Sequence, residues 1–180
     1  MVSSGDSLPS IGSEFPCSGY AINVPLQLDV LGIITLDFKG GITVRGEENL
    51  REGLGGVRLR VISAEVSADS PVLGRVTISQ ADTEVTPLSL LQVTSNLQRT
   101  FRNTIYLDLT VTIDNPPGGG PPLVLSNPRT AELLNDSLTV FPPQGQVYQL
   151  QEPVDLAPVG VPDNVIAQLL LFPVTVTHNP

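Results

Sequence analysis

The sequence predicts an all-β protein, an antiparallel β-sandwich of Ig-like or jelly-roll type with roughly 8–10 strands and at most one or two short helical turns. Three observations support this. Apolar and polar residues alternate in many short segments, as in strands with one buried face. The 17 prolines and 16 glycines are spread along the chain and supply frequent turns. Alternation with two distinct faces also favours antiparallel over parallel sheets.

Residues 104–114, TIYLDLTVTID, form the clearest predicted strand. Its apolar face contributes roughly 8–15 kcal/mol of gross burial energy, at about 1.5–3 kcal/mol for each side chain. The opposite face carries an aspartate in its middle, which a strand covered on both sides would not carry unless that carboxylate were paired. We therefore expect this face to contact solvent or a second subunit, with Tyr106 and Asp108 as interface candidates. The apolar face consists of Ile105, Leu107, Leu109, Val111 and Ile113.

Residues 1–20 are rich in Ser, Gly and Pro and show little periodicity. We expect them to form an extended N-terminal arm, with residues 21–180 as a single β-sandwich domain, because a chain of 180 residues is one domain by size. Residues 22–30 alternate well, with Ile22 as the first residue of the apolar phase. Pro25 interrupts this segment, and because proline cannot donate to a ladder it indicates an edge strand or a bulge.

Residues 33–45 keep one alternating phase across two glycines. A hairpin whose loop is Lys39–Gly41 preserves that phase, and so does one long strand bent at the glycines; both remain open. Residues 57–69 instead show a phase slip, because one residue is inserted into the alternation. The slip predicts a β-bulge near Val61–Ile62.

The rest of the chain predicts shorter elements. Residues 74–80 form a strand. Residues 130–135 are expected to form a short helix, with Asn127 or Thr130 near its start. Residues 169–177 form the last strand, and the segments between are short strands broken by prolines. The last strand has one apolar face, made of Leu170, Phe172, Val174 and Val176.

Charge and hydropathy exclude several partners. The formal net charge is −9, which argues against nucleic acid and anionic membranes because both need basic patches. No apolar run approaches the roughly 18 residues of a membrane span. The N-terminus has neither the basic residues nor the apolar core of a secretory signal. The sequence as written therefore predicts a cytoplasmic protein, with export by a non-classical route or a place in an extracellular or viral assembly as alternatives.

The inventory of reactive side chains is short, and we expect no enzymatic activity. The only cysteine is Cys17, which is either an inert buried thiol or an intermolecular link and interface candidate. The only histidine, His178, is third from the end, a poor place for a general base. There is no nucleophile elbow and no phosphate-binding loop. Neighbouring carboxylates such as Glu47 and Glu48 are most simply solvated charges.

Calcium is the one ion for which the sequence offers ligands, because carboxylates recur at predicted strand ends and hard cations bind clustered oxygens from loops. No other cofactor is expected. The calcium candidates are Asp69, Asp82, Glu84, Asp114 and Asp163.

Two functions fit these features. The first is a non-enzymatic structural or self-assembling protein, a subunit or decorating protein of a shell, sheath, tube or filament. It would form a homo-oligomer through strand edges and terminal arms, on a surface rich in Thr, Gln and Asn. The alternative is a β-sandwich module that binds carbohydrate or another ligand, with or without calcium. The absence of Trp weakens the carbohydrate version.

Overall fold

The computed structural model describes residues 8–80 and 88–179, which form thirteen strands and no helix. All strand pairs are antiparallel, so the predicted all-β antiparallel fold is confirmed. Within these residues no helix is long and apolar enough to span a membrane. The strands are β1 (Glu14–Leu28), β2 (Gly32–Leu50), β3 (Gly56–Ser70), β4 (Gly74–Gln80), β5 (Ser89–Ser95), β6 (Thr100–Leu107), β7 (Leu109–Ile113), β8 (Leu123–Ser126), β9 (Ala131–Leu138), β10 (Gln144–Leu150), β11 (Val154–Pro158), β12 (Ala167–Leu169) and β13 (Val174–His178).

The thirteen strands occupy eight rows of one sheet. β1, β2 and β3 each fill a row, and the later strands stand end to end in pairs: β4 with β5, β6 with β7, β8 with β9, β10 with β11, and β12 with β13. Each row pairs with the row before it and the row after it in the chain. The last row pairs with β1 in a single register, Leu26 opposite Leu169 and Tyr20 opposite Thr175. The sheet therefore closes on itself as an up-and-down barrel.

This closure refines the expected two-layer architecture. Opposite walls face each other across a common core, as the layers of a sandwich do, but they belong to one continuous sheet. Successive rows are neighbours, so the long crossover connections of Ig-like and jelly-roll folds are absent among the described strands. Side chains alternate between the interior and the outside along every row, as in any closed barrel.

β1 begins at Glu14, so residues 14–20 are part of the sheet and not of the expected arm. The reason is pairing on both sides, with β2 along one edge and with β13 along the other. The register shifts between Ala21 and Val24, where Asn23 has a φ of 56°. This confirms a bulge next to Pro25, although the strand is not an edge strand. Ile22 lies within this bulge and is 55% exposed, which corrects its predicted inward orientation.

β2 is one strand through Lys39–Gly41, so the hairpin alternative is wrong. Here the neighbouring backbones approach closely. A Cβ on Gly40 would overlap the carbonyl oxygen of Glu65, and one on Gly41 would lie 2.8 Å from the carbonyl oxygen of Cys17. Only glycine allows this approach, which explains two adjacent glycines inside a strand.

The predicted bulge in β3 is confirmed. Thr43 pairs with Ser63 and Val44 with Val61, which leaves Ile62 outside the ladder between β2 and β3. Such an extra residue shifts the phase of the alternation.

The strand predicted over residues 104–114 lies in the row of β6 and β7. All five of its apolar side chains are buried, as expected. The row breaks at Asp108, between the two strands. In the last row Phe172, Val174 and Val176 are buried as predicted, whereas Leu170 is only partly covered and Leu169 takes the inward position.

Residues 130–135 do not form the expected short helix. Residues 131–138 are β9, which pairs with both β6 and β10. Asn127 bridges the break in the neighbouring row instead of capping a helix. Its Oδ1 accepts from the Leu109 amide at 2.7 Å, and its Nδ2 donates to the carbonyl oxygens of Leu107 at 3.2 Å and Arg129 at 2.7 Å. The side chain thus replaces the backbone partner missing beside Asp108.

Substituting Asn127 by alanine should destabilise the fold. The change removes the side-chain partner of the Leu109 amide and the Leu107 carbonyl, and an unpaired buried polar group costs about 1–3 kcal/mol. We expect the free energy of unfolding in urea to fall by about 2 kcal/mol. Asn164→Ala, in an exposed turn, is the control and should change it by less than about 0.5 kcal/mol. Equal effects of the two substitutions would contradict the bridging role.

Candidate functional site: an apolar cavity inside the barrel

The interior of the barrel contains a cavity of about 90 Å³. Its position is clearest along the row of β6 and β7. The inward residues 103, 105, 107 and 109 line the cavity, whereas Phe101 on one side and Val111 and Ile113 on the other are packed core residues outside the lining. The cavity therefore lies between two filled layers. Other rows contribute mainly aliphatic and aromatic side chains, including Ile42, Val66, Leu133, Phe172 and Val176.

Small residues explain why this layer is not filled. Gly19, Ala64 and Ala131 line the cavity, one in each of three different rows. In the filled layers the comparable inward positions carry Leu, Ile or Phe, such as Leu125, Leu138 and Phe101. An eight-stranded barrel is just wide enough for side chains to fill it or for one small ligand. Small side chains at this level therefore leave room for a ligand.

One corner of the cavity is polar. The phenol of Tyr148 donates to Oδ1 of Asn103, and both side chains line the cavity and are buried. Nδ2 of Asn103 donates in turn to the carbonyl oxygen of Leu90 at 2.8 Å. Burial, with a smaller contribution from Cys17, raises the pKa of Tyr148 above its ordinary value, so the phenol stays protonated at physiological pH.

Cys17 also lines the cavity. Its side chain is buried, and Sγ lies 3.6 Å from the carbonyl oxygen of Phe15, to which it donates. Burial raises the pKa of this thiol to about 11. The position agrees with the buried-thiol alternative and is a poor one for an intermolecular link, since a disulfide needs the two sulfurs in contact.

Tyr106 and Asp108 lie on the wetter face of their row, both partly covered. Burial and the nearby Glu132 raise the pKa of Tyr106 above its ordinary value, which Arg58 partly offsets. Asp108 accepts a hydrogen bond from Thr130 at 2.9 Å. Asp108 thus has a hydrogen-bond partner within the chain, and a partner is what a partly covered carboxylate at this position needs.

The calcium candidates do not gather into a site in the described part of the chain. No three His, Cys, Asp or Glu side chains there are placed to share an ion. Asp69 pairs with Arg75 at 3.3 Å across a hairpin. Asp114 and Asp163 lie in different loops. Asp82 and Glu84 lie outside the described residues.

The neighbouring carboxylates Glu47 and Glu48, which the sequence suggested were solvated charges, contact arginines. Glu47 accepts from Arg45 at 2.7 Å and from Arg60 at 3.0 Å, and Glu48 pairs with Arg58 at 3.0 Å. The hydrogen bond from Arg45, supported by Arg60, holds the pKa of Glu47 below its ordinary value. Glu47 is therefore an ionised structural partner at neutral pH.

Asn103 and Tyr148 are site residues that the sequence pattern does not predict. Asn103 lies on the same inward phase as Ile105, but the predicted strand started at Thr104, one residue later. A polar side chain on an otherwise apolar phase was the available signal. Tyr148 gave no such signal, because an aromatic residue in a short strand is ordinary.

The fold and cavity define a closed antiparallel barrel with an apolar interior. A similar solved structure is that of DynF, from the dynemicin biosynthesis pathway of Micromonospora chersina, with a TM-score of 0.73 and 16% identity. The match covers 98% of this chain and 83% of DynF. At this identity the likeness concerns the fold alone. No protein-family model matches the chain, and no curated protein matches it.

The reactivity of Cys17 should follow its raised pKa. Because the thiolate is the nucleophile, labelling by a disulfide reagent at pH 8 should be at least about 100-fold slower than in the unfolded chain, and should accelerate as the pH rises towards 11. The unfolded thiol ionises near 9.0 and the folded one near 11, so stability should decline as the pH rises from 9 through 11. Cys17→Ser removes this thiol-dependent decline and serves as the control. Rapid labelling of the folded protein at pH 8 would contradict the buried position.

Proposed function

We propose that this protein binds one small apolar molecule inside the barrel and does not transform it. The observation that carries the proposal is the cavity of about 90 Å³, lined almost entirely by apolar side chains. Ligand sites are typically apolar cavities with a few polar groups that fix orientation. The buried polar groups here are the hydrogen-bonded pair Tyr148 and Asn103 and the protonated thiol of Cys17. Ser79 and Glu65 also contribute to the lining, but Glu65 is an exposed residue. None of the buried polar groups is an activated nucleophile or a charged acid–base group.

The energetics of the void support a ligand. At about 24 cal/mol per Å³ of residual cavity, a void of this size lowers stability by about 2 kcal/mol relative to a filled core. One larger side chain at Ala64 or Ala131 would fill much of it. Apolar cavities of this kind stay dry, and an engineered one of about 150 Å³ binds benzene. The similarity to DynF supports the fold on which this proposal depends.

Toluene is a suitable probe because it is apolar, neutral and compact. We expect it to raise the melting temperature in a concentration-dependent way, since a ligand that binds only the folded state stabilises it. It should also shift methyl resonances of the lining residues in NMR spectra. Ala131→Leu should abolish both effects, and by filling the void it should raise the melting temperature without ligand.

Ile113→Val is the matched control, because Ile113 is fully buried but lies outside the lining. It should lower stability by about 0.5–1.5 kcal/mol and leave toluene binding unchanged. The proposal is wrong if toluene shifts no lining resonance of the wild-type protein, or if Ala131→Leu binds it as well as wild type does.

We propose self-association as a second candidate function, on a separate observation. Both edges of the closed sheet are paired, so association would use the outer face. Tyr20 is 51% exposed and Val147 is 44% exposed, and they flank Thr175 on neighbouring rows. Ile22 and Leu171, 55% and 56% exposed, lie on the same rows. Exposed apolar patches of this kind often mark contact surfaces.

Sedimentation velocity tests the second candidate. Wild-type protein should sediment as an oligomer at high concentration, and Tyr20→Lys with Ile22→Lys should shift it to monomer. Val159→Lys is the control, since Val159 is exposed in a loop and should have no effect. Tyr106→Ala with Asp108→Lys, at the pair first suggested by the sequence, is tested alongside and should keep the fold and weaken assembly. A wild-type monomer at every concentration refutes association.

A further inference from the structure

The hydrogen bonds at the polar corner fix the direction of every donor in it. The carbonyl oxygen of Leu90 can only accept, so the group of Asn103 that faces it at 2.8 Å must be the amide nitrogen. The oxygen of the same amide then faces Tyr148, and the phenol must donate to it. The orientation of the amide and the position of the phenol proton are therefore determined by the backbone of β5.

This arrangement leaves a defined set of unused groups. Tyr148 donates its only hydroxyl hydrogen to Asn103, so its oxygen can only accept further hydrogen bonds. Asn103 uses one amide hydrogen on Leu90 and retains the other. No lysine, arginine or histidine lines the cavity among the described residues. The corner thus offers an acceptor, with one further donor nearby and no positive charge.

We infer that the ligand is a neutral molecule with a single hydroxyl group on a compact apolar body, an alcohol or a phenol. This inference rests on the proposed function, because it concerns the same cavity. A hydroxyl group can donate to the oxygen of Tyr148 and accept from the remaining hydrogen of Asn103. Its apolar body would occupy the space beside Ala131, Leu133 and Phe172.

The same corner should reject carboxylates. An ionised carboxylate has no hydrogen to donate, and it would meet the lone pairs of Tyr148 with no cation to balance its charge. Burying such a charge without a partner costs many kcal/mol, so the group must take up a proton before it enters. The same burial that disfavours a carboxylate here disfavours the ionised phenol and so raises the pKa of Tyr148.

Phenol and toluene form the decisive pair of probes, because they differ only in a hydroxyl in place of a methyl group. Their dissociation constants are measured by NMR titration at pH 7 for wild type and for Asn103→Leu with Tyr148→Phe. This double variant replaces the hydrogen-bonded pair by apolar groups of similar shape, and it also removes the hydrogen bond that the Leu90 carbonyl oxygen accepts from Asn103, so we expect a loss of stability of about 1–3 kcal/mol. The ratio of the toluene to the phenol constant should fall about tenfold in the double variant, which corresponds to loss of one net hydrogen bond.

Tyr20→Phe is the control, since it removes an exposed phenol hydroxyl and should leave the ratio unchanged. The second measurement needs no variant: phenol, but not toluene, should shift the side-chain amide resonances of Asn103 in the wild-type protein. This keeps the test decisive if the double variant fails to fold. Benzoate should bind at least 100-fold more weakly than phenol at pH 7.

The possible results distinguish the inference of a hydroxyl-bearing ligand from the proposed apolar binding site on which it rests. Toluene binding with an unchanged ratio in the double variant, or with no phenol-specific shift of Asn103, overturns the hydroxyl inference and leaves the apolar site intact. Benzoate binding comparable to that of phenol overturns the requirement for a neutral ligand. If neither toluene nor phenol binds the wild-type protein, the proposed function fails as well.

Discussion

The structure depends on one set of backbone hydrogen bonds, those between β1 and the last row, β12 with β13. They join the first and last rows of an eight-row meander and leave neither edge of the sheet unpaired. An open sheet of this length would present unpaired amides and carbonyls that invite aggregation. Closure also gives every inward side chain the same interior. The core, the cavity and its polar corner all exist because this seam forms.

The closed sheet fixes the width of the interior, so residue size at each level decides what the interior contains. Large side chains fill the levels of Phe101 and Ile113. At the level between them, Gly19, Ala64 and Ala131 leave a void. The interior of an eight-stranded barrel can be filled by side chains or can hold one small ligand. In this barrel, side chains fill the interior at two levels, and a void remains at the level between them. The two filled layers hold the geometry of the layer that is open.

Local pattern was enough to predict much of the fold. The phase slip at Ile62 identified its bulge, because an inserted residue is visible in the sequence itself. Closure was not predictable, since the partner of β1 lies at the other end of the chain and pairing leaves no local pattern. The bend at Lys39–Gly41 stayed ambiguous because hairpin and long strand preserve the same alternation. Residues 130–135 suggested a helix through their good helix formers, and pairing on both sides overrode that propensity. The cavity was hidden for a similar reason: small inward residues look the same whether their neighbours fill the space or leave it empty.

Two departures from good core packing coincide in this barrel, and their coincidence needs an explanation. A void lowers stability, and larger side chains at Ala64 or Ala131 would remove it. A buried polar pair contributes little net stability, because two apolar groups of the same shape serve as well. Either feature alone could be tolerated as an imperfection. Here the pair Asn103 and Tyr148 lines the void itself, with its donors fixed by the carbonyl of Leu90. Sites where sequences break the rules of stability are characteristically the sites that serve function. An apolar cavity with one oriented hydrogen-bond acceptor is suited to binding a ligand, whereas a fully packed apolar core would give a more stable fold.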